Sequence, residues 1–214
     1  MNSLIAFAFL FLLFAPSSAF PVDQQIILHT PSLIKPNHWC AGLGGGAFGI
    51  AHNFTLVAYN ATSSTAEPVP TSLVLRHMGS IAGAELRVLS TYESYPYRDF
   101  STFSLQDGLL FSEHSGVSAL GLAVFDGGEP NFITSSVRNA SPVRSYCALA
   151  NTSPHGSNPH SPILAVNGEI NGFHLCQQKH VGMGWVLVFR PLESHPRYAP
   201  ESCYAVRLHL QGLY

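Results

Sequence analysis

The stretch FSTFSLQDGLLFSEHSGVSALGLAVF, residues 100–125, carries the clearest fold signal in the chain. Two short apolar runs flank Asp107-Gly108, a dipeptide that readily takes the positive φ angles of a two-residue hairpin turn. In that register Leu105 lies opposite Leu110, and both side chains point to one face of the sheet. The apolar run at residues 120–125 predicts a strand that is covered on both sides. The stretch therefore predicts a β core, and no catalytic group is visible in it.

Short β-rich segments recur on either side of this stretch, separated by turns rich in Pro, Gly, Ser and Asn. They are FTLVAY (54–59), SLVLRHM (72–78), ELRVLSTY (85–92), NFITS (131–135) and WVLVF (185–189). A second hairpin unit is predicted from ILAV (163–166) through Asn167-Gly168 to a return run at residues 173–176, which suggests a weak internal repeat. In YAVRLHL (204–210) apolar and polar residues alternate, as in a half-exposed strand with His209 on its open face.

These segments predict an all-β fold, a compact antiparallel barrel of the β-trefoil type, with a two-sheet β-sandwich as the alternative. The chain has 214 residues, which suits one domain, placed at residues 51–214. Charged residues make up only 10% of the chain and the formal net charge is −2. Because no basic run is present, nucleic acid and anionic membranes are not expected as partners. A monomer is expected.

The N-terminus predicts export. An apolar run at residues 4–15 is too short to span a bilayer, and small residues follow it, so residues 1–19 are predicted to be a signal peptide cleaved after Ala19. Residues 20–50 are predicted to be an extended segment rich in Gly and Pro. The run AGLGGGAFG (41–49) lacks both the Lys-Ser/Thr of a P-loop and the context of a dinucleotide-binding fingerprint, so it is interpreted as a turn or strand kink. The mature protein is expected to be secreted, in the extracellular space or cell wall.

Four cysteines follow the predicted signal peptide, and an even number in an exported chain indicates two disulfide bonds. Three pairings are possible. Cys176 with Cys203 is favoured because the two flank the WVLVF strand and the loop after it, and this leaves Cys40 with Cys147. No Cys or His pair has metal-ligand spacing, so no metal site and no cofactor are predicted.

Four asparagines match the N-glycosylation pattern Asn-x-Ser/Thr: Asn53, Asn60, Asn139 and Asn151. Pro142 directly follows the Asn139 motif and makes that site the weakest of the four. Asn60 and Asn151 lie in polar loops and are the favoured acceptors. Attached sugar would help to keep a surface with so few charges in solution.

No catalytic constellation is evident. A glycosidase needs two carboxylates across a cleft, and the acids considered for that role are Asp99, Asp107, Glu113, Asp126, Glu129 and Glu169. No pair among them stands out, and no G-x-S-x-G elbow is present, so the protein is expected not to be an enzyme. The segment YESYPYRDF carries Tyr92, Tyr95 and Tyr97 and predicts an aromatic binding loop. The alternative is that these rings pack over the end of the barrel.

Several of the segments above resemble the PhiA family of secreted fungal cell wall proteins, some of which are IgE-binding allergens. The resemblance is carried by FSLQDGLLF, FITSS, ILAVNGEINGFHLC with the Trp185 strand, and ESCYAVRL, and it spans residues 54–210 at low identity. It implies a glycosylated wall protein linked to phialide and conidium development, without enzyme activity or cofactor. The chain departs from the family in its Gly-rich N-terminal part and in the positions of its first two cysteines. Wall polysaccharide or other wall proteins are the partners implied.

A second class of function stays open from the sequence. The chain can instead be a lectin-like module or a secreted effector that binds a glycan or a host protein through the loop at residues 92–97. The presence or absence of glycan binding by that loop distinguishes this hypothesis from a purely structural wall protein.

Overall fold

The computed structural model describes residues 38–62, 69–81, 83–135, 143–151, 161–180 and 184–212. These residues form thirteen β-strands and two 3₁₀ turns, His38–Cys40 and Pro200–Ser202. The strands are β1 (Ala47–Phe48), β2 (Ile50–Asn60), β3 (Thr71–Ile81), β4 (Ala84–Thr91), β5 (Phe103–Gln106), β6 (Leu109–His114), β7 (Val117–Gly121), β8 (Asn131–Ser135), β9 (Tyr146–Leu149), β10 (Ile163–Val166), β11 (Phe173–Gln177), β12 (Trp185–Phe189) and β13 (Tyr204–Gln211). The predicted all-β class is confirmed.

The described strands close into an antiparallel barrel. Nine strands form its ring in the order β2, β13, β11, β12, β4, β8, β7, β6, β5 and back to β2. Strand β3 pairs with both β2 and β4, and β10, β9 and β1 extend the sheet outward from β13. Closure pairs the strands of the ring with one another and leaves that ring without an open edge. The predicted antiparallel barrel is therefore confirmed.

The central hairpin forms as predicted. Strands β5 and β6 pair with Leu105 opposite Leu110, and Asp107 and Gly108 take φ angles of 49° and 85° in the turn. The predicted strand at residues 120–125 is wrong, because β7 ends at Gly121 and Phe125 is 72% exposed. The chain leaves the sheet there to reach a turn whose Gly127 N–H donates to the carbonyls of Phe189 and Arg190 at the end of β12. An apolar run indicates burial but does not by itself supply a pairing partner.

The second predicted hairpin is also wrong. Asn167 and Gly168 do form a tight turn, with φ angles of 52° and 78°, but it closes only the bridge between Val166 and Glu169. Strand β10 pairs with β9 and β13, whereas β11 pairs with β12 and β13. The two strands therefore take partners that are distant in the sequence, and the predicted internal repeat finds no support in the pairing.

Apolar residues fill the barrel and also cover part of its outside. On β12, Leu187 faces the main core, while Val186 and Val188 belong to a second buried cluster. Tyr198 covers this outer cluster from the loop after β12 and is itself fully buried. Both faces of β12 are covered, which explains why its sequence is apolar without alternation.

Residues 38–48 lie across two tight turns. Trp39 contacts Gly108 of the central hairpin, and the carbonyl of Ala41 approaches Gly168 closely. All described residues belong to one compact unit, Ile34–Tyr214. The predicted signal peptide, residues 20–37 and Asn139 lie outside the described residues, and the proposed division into segments at residues 19 and 50 stays a prediction.

Candidate functional site

The predicted aromatic loop, residues 92–97, begins where β4 ends and is here called the tyrosine loop. The backbone N–H of Tyr92 donates to the carbonyl of Ser72 on β3, at 2.9 Å. The hydroxyl of Ser94 accepts a hydrogen bond from the backbone N–H of Trp185 at 2.8 Å and contacts the Thr91 hydroxyl at 2.6 Å. Hydrogen bonds to two neighbouring strands thus hold the backbone of the loop in place, which reduces the entropy that binding would cost.

The structure brings two of the three predicted tyrosines together. The rings of Tyr95 and Tyr97 lie 4.8 Å apart at 49°, and Tyr97 is 59% exposed. Tyr92 instead faces the guanidinium of Arg98, at 4.9 Å from its ring centroid. The sequence analysis did not identify Arg98, although it directly follows the tyrosines. Trp185, also aromatic, packs edge-to-face on Tyr204 beside the core, at 5.5 Å.

A small cleft adjoins the tyrosine loop between β2, β3 and the segment before β5. Its volume is about 200 Å³, and Tyr92 and Arg98 form one side of it. The other polar groups that line it are Thr55, Ser72, Ser101 and Gln211. Ligand pockets usually measure roughly 300 to 1,000 Å³, so this cleft has room for only part of a ligand. Among the described residues no carboxylate lines it, and a neutral hydroxylated group suits its hydroxyls, amide and guanidinium.

A buried polar network surrounds Glu129, one of the acids considered as catalytic. The carboxylate of Glu129 is fully buried and forms an ion pair with Arg197 at 3.1 Å. Gln178 donates to Glu129 at 3.4 Å and accepts from Arg76 at 2.7 Å. Burial lowers the pKa of Arg76, and the charges of Glu129 and Tyr95 oppose that shift. These contacts connect Glu129 with Arg76 of β3 and with Arg197, and so tie the loop after β12 to the barrel.

The other acids considered as catalytic are mostly held in structural roles. Asp126 and Glu169 share the exposed guanidinium of Arg190, and together they raise its pKa, with Glu169 the larger cause. Glu113 accepts from the hydroxyl of Ser118 at 3.2 Å, and Asp107 occupies the turn of the central hairpin. Asp99 is exposed.

Two of the predicted glycosylation sites are well exposed. Asn60 lies at the end of β2, and its side-chain oxygen accepts hydrogen bonds from both the backbone N–H and the hydroxyl of Thr62, each at 2.9 Å. Asn53 lies within β2 at a shift in register and has a φ of 54°. Asn151 is partly buried, and Thr152 and Ser153 of its motif lie outside the described residues. Occupancy of all four sites stays a prediction.

Both disulfide bonds favoured from the sequence are present. Cys40 is bonded to Cys147, which fastens the start of the described chain to β9, with Cα atoms 5.6 Å apart. Cys176 is bonded to Cys203, which joins β11 to the residue just before β13, with Cα atoms 4.1 Å apart. These bonds use all four cysteines of the chain.

Three further observations concern ligands and relatives. Within the described ranges, no group of three or more His, Cys, Asp or Glu side chains is placed to hold a metal ion. Among the same residues, no helix has the length and apolar character needed to cross a membrane. Comparisons of the chain with protein-family models, with curated proteins and with solved structures found no match.

Proposed function

We propose that this chain is an exported, N-glycosylated protein of the fungal cell wall or its surroundings, which acts without catalysis in a structural or adhesive role. The observation that carries this proposal is the use of all four cysteines in two disulfide bonds. Such bonds persist in oxidising compartments outside the cytosol and are rare where thiols are kept reduced.

Surface features support the same proposal. Asn53 and Asn60 are both exposed on strand β2, so a glycan attached to either side chain would extend into solvent. A chain with 10% charged residues would gain solubility from such glycans. The resemblance to PhiA-type proteins points to the fungal wall in particular, with wall polysaccharide or other wall proteins as partners.

Fractionation of a filamentous fungus that expresses the full-length, C-terminally tagged chain tests this proposal. We expect the protein in the wall fraction, with a mature N-terminus at Phe20 and a mass that falls on enzymatic release of N-glycans. The double variant Asn53→Gln/Asn60→Gln should lose part of that mass difference. A cytosolic protein that retains residues 1–19, or one whose mass does not change on glycan release, would contradict the proposal.

A second function is favoured by one specific observation: Tyr95 and the exposed Tyr97 pair in the same loop as Tyr92, which lines a polar cleft with Arg98. Aromatic rings with a nearby hydrogen-bonding cleft suit the apolar face and the hydroxyls of a neutral sugar. The alternative function is therefore a lectin-like module, or an effector that uses the same loop to bind a host protein.

A glycan array with the purified mature chain tests this alternative. Tyr95→Ala and Tyr97→Ala should each abolish binding, whereas Phe125→Ala removes an exposed aromatic side chain elsewhere and should not. Absence of binding by the wild-type protein, or equal binding by all three variants, would leave the tyrosine loop without a role in glycan recognition.

The finer arrangement of the barrel also stays a proposal. A β-trefoil-type barrel is our first choice and a two-sheet sandwich the alternative, and the closed ring of strands favours a barrel. An experimental structure in which three strand pairs superpose about one axis would support the trefoil, and one without that symmetry would exclude it.

A further inference from the structure

The cleft of Tyr92 contains an arginine without an acidic partner. Arg98 is exposed, and its guanidinium lies over the ring of Tyr92, at 4.9 Å from the ring centroid. Among the described residues, no carboxylate forms an ion pair with this guanidinium, and no group accepts a hydrogen bond from it. Its N–H groups are therefore open to an acceptor on a ligand that enters the cleft.

The contact with Tyr92 positions the guanidinium of Arg98 but does not satisfy its donors. A ring face attracts the positive charge and supplies no oxygen acceptor. The backbone carries both residues of this contact in fixed places, because the N–H of Tyr92 donates to the carbonyl of Ser72 and the carbonyl of Arg98 accepts from the hydroxyl of Ser101. A guanidinium held in this way offers a fork of N–H groups that matches the two oxygens of a carboxylate.

The other polar groups of the cleft suit the hydroxyls of a sugar ring. Thr55 and Ser72 are exposed, and neither hydroxyl forms a hydrogen bond with another described residue. The amide nitrogen of Gln211 donates to the hydroxyl of Tyr59 at 2.7 Å, which leaves the amide oxygen of Gln211 as an acceptor. The cleft therefore offers both donors and acceptors beside the guanidinium.

The charge of the cleft selects among hydroxylated ligands. A second cleft, of about 360 Å³, is lined by Glu85, Arg87 and Asp99, and its arginine is already paired with Glu85. The cleft of Tyr92 differs, because none of the described residues that line it carries a negative charge to balance Arg98. A neutral sugar can accept hydrogen bonds from this guanidinium, whereas a carboxylate would in addition be attracted by its charge.

We propose that the cleft of Tyr92 binds a uronic acid unit, a sugar ring that carries one carboxylate, with the carboxylate at the guanidinium of Arg98. Thr55, Ser72 and Gln211 contact the ring hydroxyls. The cleft measures about 200 Å³ and holds one unit, so the neighbouring units of an acidic polysaccharide extend outside it. This inference rests on the alternative function proposed above, glycan binding, and it names the class of glycan.

Titration of the ¹⁵N-labelled mature chain with digalacturonic acid, followed by NMR, tests the proposal. The matched neutral ligand is the dimethyl ester of the same disaccharide, which keeps the ring hydroxyls but lacks the negative charges. We expect shifts in the amide signals of Thr55 and Ser72 and in the Nε–H signal of Arg98. The acid should bind about fivefold more tightly than the ester, and its affinity should fall as salt is added.

Three variants separate the cleft from general surface charge. Arg98→Gln should weaken binding of the acid by about fivefold, to the affinity of the ester, because it removes the charge and keeps a polar side chain. Arg98→Lys keeps the charge without the fork of N–H groups and should restore only part of the loss. Arg207→Gln removes an exposed arginine of β13 that does not line the cleft, and it should leave both affinities unchanged.

Two results would overturn the proposal and leave the broader function intact. They are equal affinity for the acid and the ester, and equal losses in Arg98→Gln and Arg207→Gln. The absence of shifts with either disaccharide would overturn the proposal as well. The glycan array described above then decides separately whether glycan binding as a whole falls with it.

Discussion

Trp39 lies so close to the glycine of the central hairpin turn that a β-carbon at Gly108 would stand 2.7 Å from Cε2 and Nε1 of its indole ring. The guanidinium of Arg144 lies over the indole, at 5.4 Å from the ring centroid. Cys40, which follows Trp39 in the chain, is bonded to Cys147. The hairpin turn, the start of the described chain and the segment before β9 thus meet at one tryptophan. This contact joins segments that are far apart in the sequence.

Gly108→Ala should destabilise the fold by about 2 to 4 kcal/mol, because it adds both a positive-φ strain and a clash with Trp39. Gly116→Ala provides the matched control: Gly116 has a similar φ of 79°, in the turn between β6 and β7, but nothing lies within 4 Å of its added β-carbon. We expect Gly116→Ala to lower the free energy of unfolding by about 1 kcal/mol. Urea unfolding with the disulfide bonds intact measures both, and equal losses would show that the Trp39 contact adds nothing.

Glu129→Gln should destabilise the protein by about 2 kcal/mol, because it removes the charge of a fully buried carboxylate from the network of Arg197, Gln178 and Arg76. This loss of unfolding free energy is smaller than that expected for a fully buried ion pair, because the side chain of Arg197 is 42% exposed and solvent screens the pair. Glu169→Gln breaks an exposed, solvent-screened ion pair with Arg190 and should cost clearly less than Glu129→Gln. Similar losses in urea unfolding for the two variants would contradict the structural role of Glu129.

Removal of the two disulfide bonds should have unequal effects. In the chain-entropy account, the bond with a sequence separation of 107 residues constrains the unfolded chain more than the bond with a separation of 27. Cys40→Ala/Cys147→Ala should therefore lose about 1 kcal/mol more than Cys176→Ala/Cys203→Ala, of totals near 5 and near 4 kcal/mol. Urea unfolding of the two double variants decides the order, and a larger loss at the shorter loop would show that packing around Cys176 outweighs the loop entropy.

His209 should make the fold sensitive to mild acid. Burial lowers its pKa below the usual 6.5, and the charge of Arg207 adds to that shift, while a backbone hydrogen bond with Ser161 opposes it. Below 6.5 the unfolded chain therefore binds the proton more readily than the folded chain, so stability is present at neutral pH and is lost as the pH falls through this range. His209→Gln should reduce the loss of urea stability between about pH 7 and about pH 5.

A second histidine contributes to the same range. Burial also lowers the pKa of His195, with the charges of Arg197 and Lys179 adding to the shift and that of Glu129 opposing it. The double variant His209→Gln/His195→Gln should therefore lose less urea stability between neutral and mildly acidic pH than either single variant. An unchanged slope in the double variant would show that other groups govern the acid response.

Much of the local structure could be predicted from the sequence. Asp107-Gly108 indicates its own turn, because few other dipeptides take two positive φ angles in succession. The alternation in β13 places Val206, Leu208 and Leu210 inside, as found. It also predicts an open face for His209, but the structure buries that residue beside Tyr59, with the two rings 4.8 Å apart. The reason is that a strand pattern reports local periodicity, and a neighbouring strand can cover the second face.

The clefts could not be predicted in this way. Arg87 and Asp99 belong to segments whose sequences show no shared motif, and the barrel brings them to one cleft with Glu85. In the sequence, Glu129 follows two glycines and has no feature that distinguishes it from a surface turn residue. The fold shows that its side chain is buried and paired with Arg197. Such relationships depend on which strands become neighbours, and strand pairing across the chain leaves no local pattern.

The sequence was enough to establish the β class, the turns that glycine requires and an even set of cysteines, because these properties depend on the conformational and chemical preferences of individual residues. The tertiary structure alone decided that β10 and β11 take different partners, that β12 is covered on both faces, and that two clefts flank the segment at Arg98 and Asp99. Those features arise from contacts between segments far apart in the chain, whose free energy appears only once the barrel has closed.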